Sequence, residues 1–242
     1  MTKLSVNVNK LATIRNSRGK NNPDVLKTVL DIIAYGAEGI TVHPRPDGRH
    51  IRKEDVYQIH KNIHVEFNIE GYPDRNFLDL IKEVKPTQAT LVPDPPTVLT
   101  SNAGWEIEKN FRFLKEIVAE LHSYGTRTSL FIDPCTISEK DIHLLKEIGT
   151  DRVELYTEAY ADAYGTADES SITAIYKRVA ESINKLGIDI NAGHDLNLDN
   201  LGALIKAIPS IKEVSIGHAL ICDALYLGLK ETVARYLEQC RI

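Results

Sequence analysis

Apolar and polar residues alternate in short runs along the whole chain, and each run is followed by a longer stretch of helical period. The runs Leu4–Asn9, Gly39–His43, His64–Glu70, Gln88–Val92, Arg127–Asp133, Arg152–Thr157, Asp189–His194 and Glu213–His218 are rich in β-branched residues and bounded by Gly, Pro or Asp, so eight strands are predicted. Between them apolar residues recur at i, i+3, i+4 and i+7, as in Phe111, Leu114, Ile117, Val118 and Leu121, which is the stripe of an amphipathic helix. Gly36, Gly125, Gly149 and Gly187 stand where a left-handed cap closes a helix, and Asn22 before Pro23 suits an N-cap and a first helical position.

Eight strand–helix units in 242 residues allow about 30 residues each, the length of a βα unit. The expectation is a closed (β/α)8 TIM barrel, a single domain spanning residues 1–242. A doubly wound open sheet is the alternative, but no strand end carries the Gly-rich dinucleotide fingerprint that such a sheet usually shows.

Parity along each strand sorts side chains between the barrel interior and the helix layer. Leu4, Val6, Val8, Val65, Phe67 and Ile69 form the helix-facing set, which leaves Ser5, Asn7, Asn9, Glu66, Asn68, Glu70, Thr41, His43, Glu154 and Tyr156 for the interior. Leaving so many polar groups unpaired would cost about 1–3 kcal/mol each, so a hydrogen-bonded network reaching a ligand at the C-terminal mouth is expected. His43, His50, His194 and His218, four of eight histidines, fall at or just beyond strand ends. Parity alone aims His194 and His218 at the helices; Gly193 and Gly217 before them allow a bulge or turn that re-aims each ring. Gly217 and the segment from Ala219 offer backbone N–H groups to a phosphate, with Arg15, Arg18 and Arg45 as nearby cations. Pro93–Glu106 and Glu158–Ser170 are long for βα connections and read as candidate lids.

With 29 Lys+Arg against 34 Asp+Glu, the net charge of −5 argues against nucleic acid as a partner. No apolar stretch reaches the ~18–20 residues of a membrane helix, and the N-terminus lacks an apolar signal core, so a soluble, unexported, cytoplasmic protein without a membrane partner is expected. Cys135, Cys222 and Cys240 are widely spaced, so neither disulfides nor a zinc site nor a catalytic thiol is expected.

The residues Val6-Asn7-Val8-Asn9-Lys10-Leu11-Ala12-Thr13-Ile14-Arg15-Asn16-Ser17-Arg18-Gly19, Gly39-Ile40-Thr41-Val42-His43-Pro44-Arg45, Arg49-His50-Ile51, Asn68-Ile69-Glu70, Ser129 to Asp133, Asn191-Ala192-Gly193-His194 and Ile216-Gly217-His218-Ala219 together resemble the pyridoxine 5′-phosphate synthase family, in order and over nearly the whole chain. The resemblance implies a TIM barrel with extra helices, assembled as a homo-octamer, using small-molecule phosphate substrates and neither metal nor organic cofactor. It implies condensation of 1-deoxy-D-xylulose 5-phosphate with 3-amino-2-oxopropyl phosphate to pyridoxine 5′-phosphate, phosphate and water. His43 and Glu70 would be proton acceptors, His194 a proton donor, and Glu154 a transition-state stabiliser. The amino-ketone phosphate would meet Asn7, Arg18, Gly217 and His218, and the deoxyxylulose phosphate Asn9, Lys10, Arg45, His50 and Thr100. Family members often carry Asp-His where this chain has Asn9-Lys10, and Gly where it has Asp195, which would bring a negative charge near a phosphate at the substrate site.

Three other readings use the same residues. A metal-dependent isomerase or hydrolase would take His43, Glu70, Glu154 and His194 as ligands, although no His-x-His or HExxH spacing is present. A Schiff-base aldolase lacks its strand-end lysine, Lys10 being the only one just beyond a strand. A non-catalytic phosphate-binding barrel would keep the fold without the chemistry.

Overall fold

The computed structural model describes residues 1–93 and 103–241. In chain order the elements are β1 (Lys3–Asn7), α1 (Asn9–Asn16), α2 (Val25–Ala34), β2 (Gly39–Val42), α3 (Lys53–Asn62), β3 (Glu66–Gly71), α4 (Arg75–Val84), β4 (Gln88–Leu91), α5 (Ile107–Ser123), β5 (Arg127–Ile132), α6 (Glu139–Ile148), β6 (Arg152–Tyr156), α7 (Glu158–Ala163), α8 (Glu169–Lys185), β7 (Asp189–Gly193), α9 (Leu201–Ala207), β8 (Ile211–Ile216), α10 (His218–Leu227) and α11 (Leu229–Cys240). The eight strands are parallel, pair in sequence order and close through β8 onto β1, the TIM-barrel topology expected from the alternation. None of the described helices is long and apolar enough to cross a membrane.

Three of the helices are additions to the eightfold plan. α1, α7 and α10 each begin within two residues of the end of a strand, β1, β6 and β8 respectively, and so surround the C-terminal mouth. Within the Glu158–Ser170 segment α7 occupies the first half, and Tyr160 from it is buried against Tyr176 of α8. Of the Pro93–Glu106 segment, residues 94–102, Thr100 among them, lie outside the described residues.

Three boundaries differ from the sequence expectation for identifiable reasons. Asn9 opens α1 instead of ending β1, because its N–H turns back to Asn7 Oδ1 at 3.0 Å. β8 ends at Ile216 because Gly217, at φ −124° and ψ −85°, leaves the strand and starts α10 at His218. The start of α2 also moves: Asp24, not Asn22, is its N-cap, its carboxylate accepting from the Lys27 N–H at 3.0 Å. Gly36, Gly125, Gly149 and Gly187 all adopt positive φ at helix ends, as expected.

The apolar core is a ring between strands and helices. Leu4, Val6, Ile40, Val42, Ile69, Leu130, Leu155, Ile190, Val214 and Ile216 are all buried there, each from the helix-facing parity set of its strand. Inside the barrel many side chains are polar, and a set of them is joined into a column. Arg127 donates to Gln88 (2.9 Å), Gln88 to Thr90 (3.3 Å), Thr90 to Asn68 (2.9 Å) and Asn68 to Thr41 (3.4 Å), which pairs with Ser5 at 2.7 Å. The expected network is present, and most of its members avoid the desolvation cost by pairing with one another.

At the barrel floor Glu66 is ion-paired with Lys3 (2.6 Å) and Arg127 (2.5 Å). Burial pushes its carboxyl up, but the two cations outweigh burial and hold it well below the usual range. Glu213 is buried beside it, and its Oε2 has no hydrogen-bond partner among the described residues. Burial first, then the Glu66 carboxylate, push Glu213 up to about 8 from 4.5. A raised folded value means stability that is complete below 4.5 and is lost as pH rises through about 8. Glu213→Gln, which never ionises, should therefore exceed the native chain by roughly 1–3 kcal/mol at pH 9 and match it near pH 5. Thermal melts at the two pH values check this, and an equal difference at both would contradict it.

Candidate active site

The top of the polar column is where the acid–base side chains meet. Parity places Asn7, Glu70 and Glu154 inward from β1, β3 and β6, and His43 follows β2 directly. His43 Nδ1 lies 3.9 Å from Glu70 Oε2, and Asn7 Nδ2 reaches the same oxygen at 3.4 Å. Val92, Phe131 and Tyr156 form a separate apolar cluster inside the barrel, the dry wall of the site.

His194 belongs to this group although simple parity aimed it at the helices. Its φ of +88°, followed by +57° at Asp195, turns the chain so that the ring stands edge-on to Tyr156 (5.0 Å) and near Phe131 (6.2 Å). The turn is made at His194 and Asp195 themselves, and Thr157 holds it, its hydroxyl donating to the carbonyls of Gly193 (2.9 Å) and His194. Gly193 serves a different purpose: a Cβ there would stand 2.5 Å from Glu154 Oε1, so the missing side chain makes room for that carboxyl. His218 is exposed at the first position of α10, with Cys222 Sγ 3.6 Å from its Nε2. Gly217 packs beneath it against Asn7, where a Cβ would lie 3.2 Å from the Asn7 Cβ.

The electrostatics invert the ordinary protonation states. Burial, reinforced by the Arg45 guanidinium, pushes His43 down to about 3 and His50 down to about 4, so both imidazoles are neutral at pH 7. Burial raises Glu70 well above the carboxylate range, with Arg45 opposing only in part, and burial plus the Glu70 charge does the same to Glu154. A neutral imidazole with one nitrogen open to accept thus faces a carboxyl that holds a proton, and proton transfer in either direction is available to a bound molecule.

The remaining expected contacts divide. Arg45 is buried, and its charge acts on His43, His50 and Glu70; His50 stands 6.2 Å from His43, ring to ring. Asn9 uses its Oδ1 to accept the His43 N–H at 2.9 Å, which ties α1 to the end of β2. Lys10 and Arg18 are exposed on and just past α1. Arg15 is no mouth cation: it is buried, bidentate to Asp55 and bonded to the His50 carbonyl. Asp195 turns its carboxylate to His194 Nδ1 at 2.8 Å, and that hydrogen bond, against partial burial, keeps it below its usual range. The roles of Thr157, Asn16 and Asp55 escaped the sequence reading, because a strand-end Thr or a helix-terminal Asn carries no distinguishing signal.

A cavity of about 440 Å³ opens beside His43 and Arg45 and runs outward past Tyr72 and Phe77 to Lys53 and Glu83. Among the described residues no three His, Cys, Asp or Glu side chains converge as a metal site.

Known proteins resemble this chain at two levels, in fold and in sequence. Solved structures with the same fold include phosphoribosylanthranilate isomerase from Thermotoga maritima (TM-score 0.64, 12% identity, 100% of this chain and 99% of that one). A mutant tryptophan synthase alpha-subunit from Pyrococcus furiosus is similar to the same degree (TM-score 0.64, 16% identity, 100% of both chains). At these identities the likeness concerns the barrel alone. Much closer in sequence are proteins named pyridoxine 5′-phosphate synthase, from Porphyromonas gingivalis (54% identical over 239 residues, 99% of each chain) and Cytophaga hutchinsonii (52% over 241 residues, 100% of each). The family model described as pyridoxal phosphate biosynthesis protein PdxJ matches residues 4–242, and with relatives this similar over their full lengths the chain belongs to that family.

Proposed function

We infer that this chain is a pyridoxine 5′-phosphate synthase, joining 1-deoxy-D-xylulose 5-phosphate and 3-amino-2-oxopropyl phosphate into pyridoxine 5′-phosphate with release of phosphate and water. The observation that carries the reading beyond the family name is the pairing of a neutral buried His43 with the raised carboxyl of Glu70, 3.9 Å apart at the mouth of a polar barrel. Imine formation, dehydration and ring closure each need a proton taken from one atom and given to another. In this reading His43 accepts, Glu70 gives its proton and then serves as acceptor, His194 donates to the leaving oxygen, and Glu154 steadies the charge that develops between them.

The phosphates set the frame around that chemistry. Arg45 and His50, with Asn9, Lys10 and Thr100, take the deoxyxylulose phosphate, and Asn7, Arg18, Gly217 and His218 take that of the amino ketone. Arg45 is buried and lines the cavity beside His43, so a fixed guanidinium charge stands where a phosphate would enter, which supports the phosphate assignment. Asp195 acts on this site through His194, whose Nδ1 it engages, and it also interacts electrostatically with His218. No metal or organic cofactor is part of this reading. Assembly as a homo-octamer belongs to it as well, and the exposed Ile14, Leu225 and Tyr226 side chains support self-association. The cytoplasmic assignment is supported by three free cysteines.

The test is to mix purified protein with both substrates in excess chelator and follow pyridoxine 5′-phosphate and inorganic phosphate together. Equal amounts of both products are expected. Product only after a divalent ion is restored would return the metal-dependent reading, and binding without product the non-catalytic one.

A further inference from the structure

The connection between β2 and α3 carries His43, Arg45 and His50, yet from Pro44 to Arg52 it has no helix or strand to hold it. It is held by α1. At the helix start Asn9 accepts the His43 N–H at 2.9 Å. At the helix end, the two N–H groups of Asn16 Nδ2 are shared among three successive carbonyls, those of Gly48 (3.2 Å), Arg49 (3.2 Å) and His50 (2.8 Å).

The orientation of that carboxamide is itself determined. Arg15 Nε donates to Asn16 Oδ1 at 3.0 Å, which leaves Nδ2 facing the carbonyls. The Arg15 guanidinium also reaches the His50 carbonyl (3.2 Å) and Asp55 (2.8 Å), and Asp55 accepts the Arg52 N–H at the start of α3 (2.8 Å). Inside the connection, Gly48 donates back to the Arg45 carbonyl at 2.9 Å, so the turn starting at Arg45 is continuous with the segment that Asn16 grips. His50 Nδ1 accepts the Ile51 N–H at 2.9 Å, which leaves Nε2 as the ring's donor toward the site.

We propose that Asn16 is a positioning residue for one half of the site: its carboxamide locks the 45–50 turn onto α1, so that Arg45 and His50 are set for the deoxyxylulose phosphate before it arrives. The inference rests on the reading of Arg45 and His50 as that phosphate's contacts. In this role the Asn16 carboxamide contacts the turn and Arg15, and acts on the phosphate through them. Its effect is to remove the freedom that the turn would otherwise lose on binding, which is a contribution to affinity for one substrate and not to the chemical step.

Asn16→Asp is the informative variant, because it keeps the shape and the Arg15 contact but cannot donate to a carbonyl. Asn16→Ala, without an added charge, is measured beside it, and Arg45→Ala serves as the reference for losing the phosphate contact. We expect Asn16→Asp and Asn16→Ala to raise KM for 1-deoxy-D-xylulose 5-phosphate about 10–100-fold, with kcat and KM for 3-amino-2-oxopropyl phosphate within about threefold of native. If Arg45→Ala raises that KM and both Asn16 variants leave it unchanged, the clamp is wrong while the phosphate reading stands. If Arg45→Ala leaves it unchanged too, the phosphate reading fails and takes the clamp with it. An equal rise in both KM values with a fall in kcat overturns the selective role and makes Asn16 a general support of the fold.

Discussion

Glu70→Gln should slow turnover ~10²–10⁴-fold while leaving the fold and the binding of both phosphates intact. The substitution is nearly isosteric, and a glutamine oxygen accepts from Asn7 Nδ2 as the carboxylate does at 3.4 Å. What it removes is the proton. Burial raises the Glu70 carboxyl so that it is loaded near neutral pH, opposite an imidazole held down to about 3. Stability separates this loss from misfolding. Because the folded value lies above the ordinary 4.5, native stability is full below 4.5 and is lost as pH rises through the raised value. The glutamine variant has no such charge to bury, so it should be no less stable than native at pH 9 while nearly inactive. Steady-state rates and melts on the same preparation decide the matter, and near-normal turnover would falsify a proton-transfer role for Glu70.

The largest effect on stability is expected at a residue outside the acid–base set. Asp55→Ala should lower stability by about 3–5 kcal/mol, because it leaves the buried Arg15 guanidinium without its bidentate partner. For a chain of this size that corresponds to a fall in Tm of roughly 6–20 °C. Removing the charge as well should restore part of the loss, so the double variant Arg15→Met with Asp55→Leu is expected to melt above the single one. It should not recover fully, since Asp55 also accepts the Arg52 N–H at the start of α3 and Arg15 supports the His50 carbonyl. A single-variant loss below about 1 kcal/mol would mark the pair as ordinary surface electrostatics.

The barrel was legible because its signal is repeated. Each strand shows the same alternation, and the helix-facing set from Leu4 to Ile216 is the apolar ring that closes the fold. Parity also sorted Asn7, Glu70 and Glu154 correctly, since a side chain within a strand has only two directions to take. It lost its power where the chain leaves the strand. His194 reaches the site through two consecutive positive φ values, Asn9 meets the His43 N–H from an early helix, and His218 opens α10 after a turn at Gly217, none of which a period of two describes. Charge was misread for a related reason. Arg15 lies close in sequence to Arg18, but the carboxylate that claims it, Asp55, is 40 residues away and belongs to another helix. The Glu158–Ser170 stretch looked long because Gly165 and its polar neighbours hide a six-residue helix whose only strong anchor is Tyr160.

The division between an apolar ring and a polar interior bears on how such a chain changes over generations. Cohesion resides in the ring, where a lost methylene is felt at once. The interior column contributes hydrogen bonds that can be exchanged for others of similar shape, as Ser, Thr, Asn and Gln already are along it. Mutations that retune reactivity and mutations that erode cohesion therefore fall on opposite faces of the same strands, at alternating positions. A lineage can drift toward a different substrate by changing every second residue of a strand and leaving its scaffold untouched.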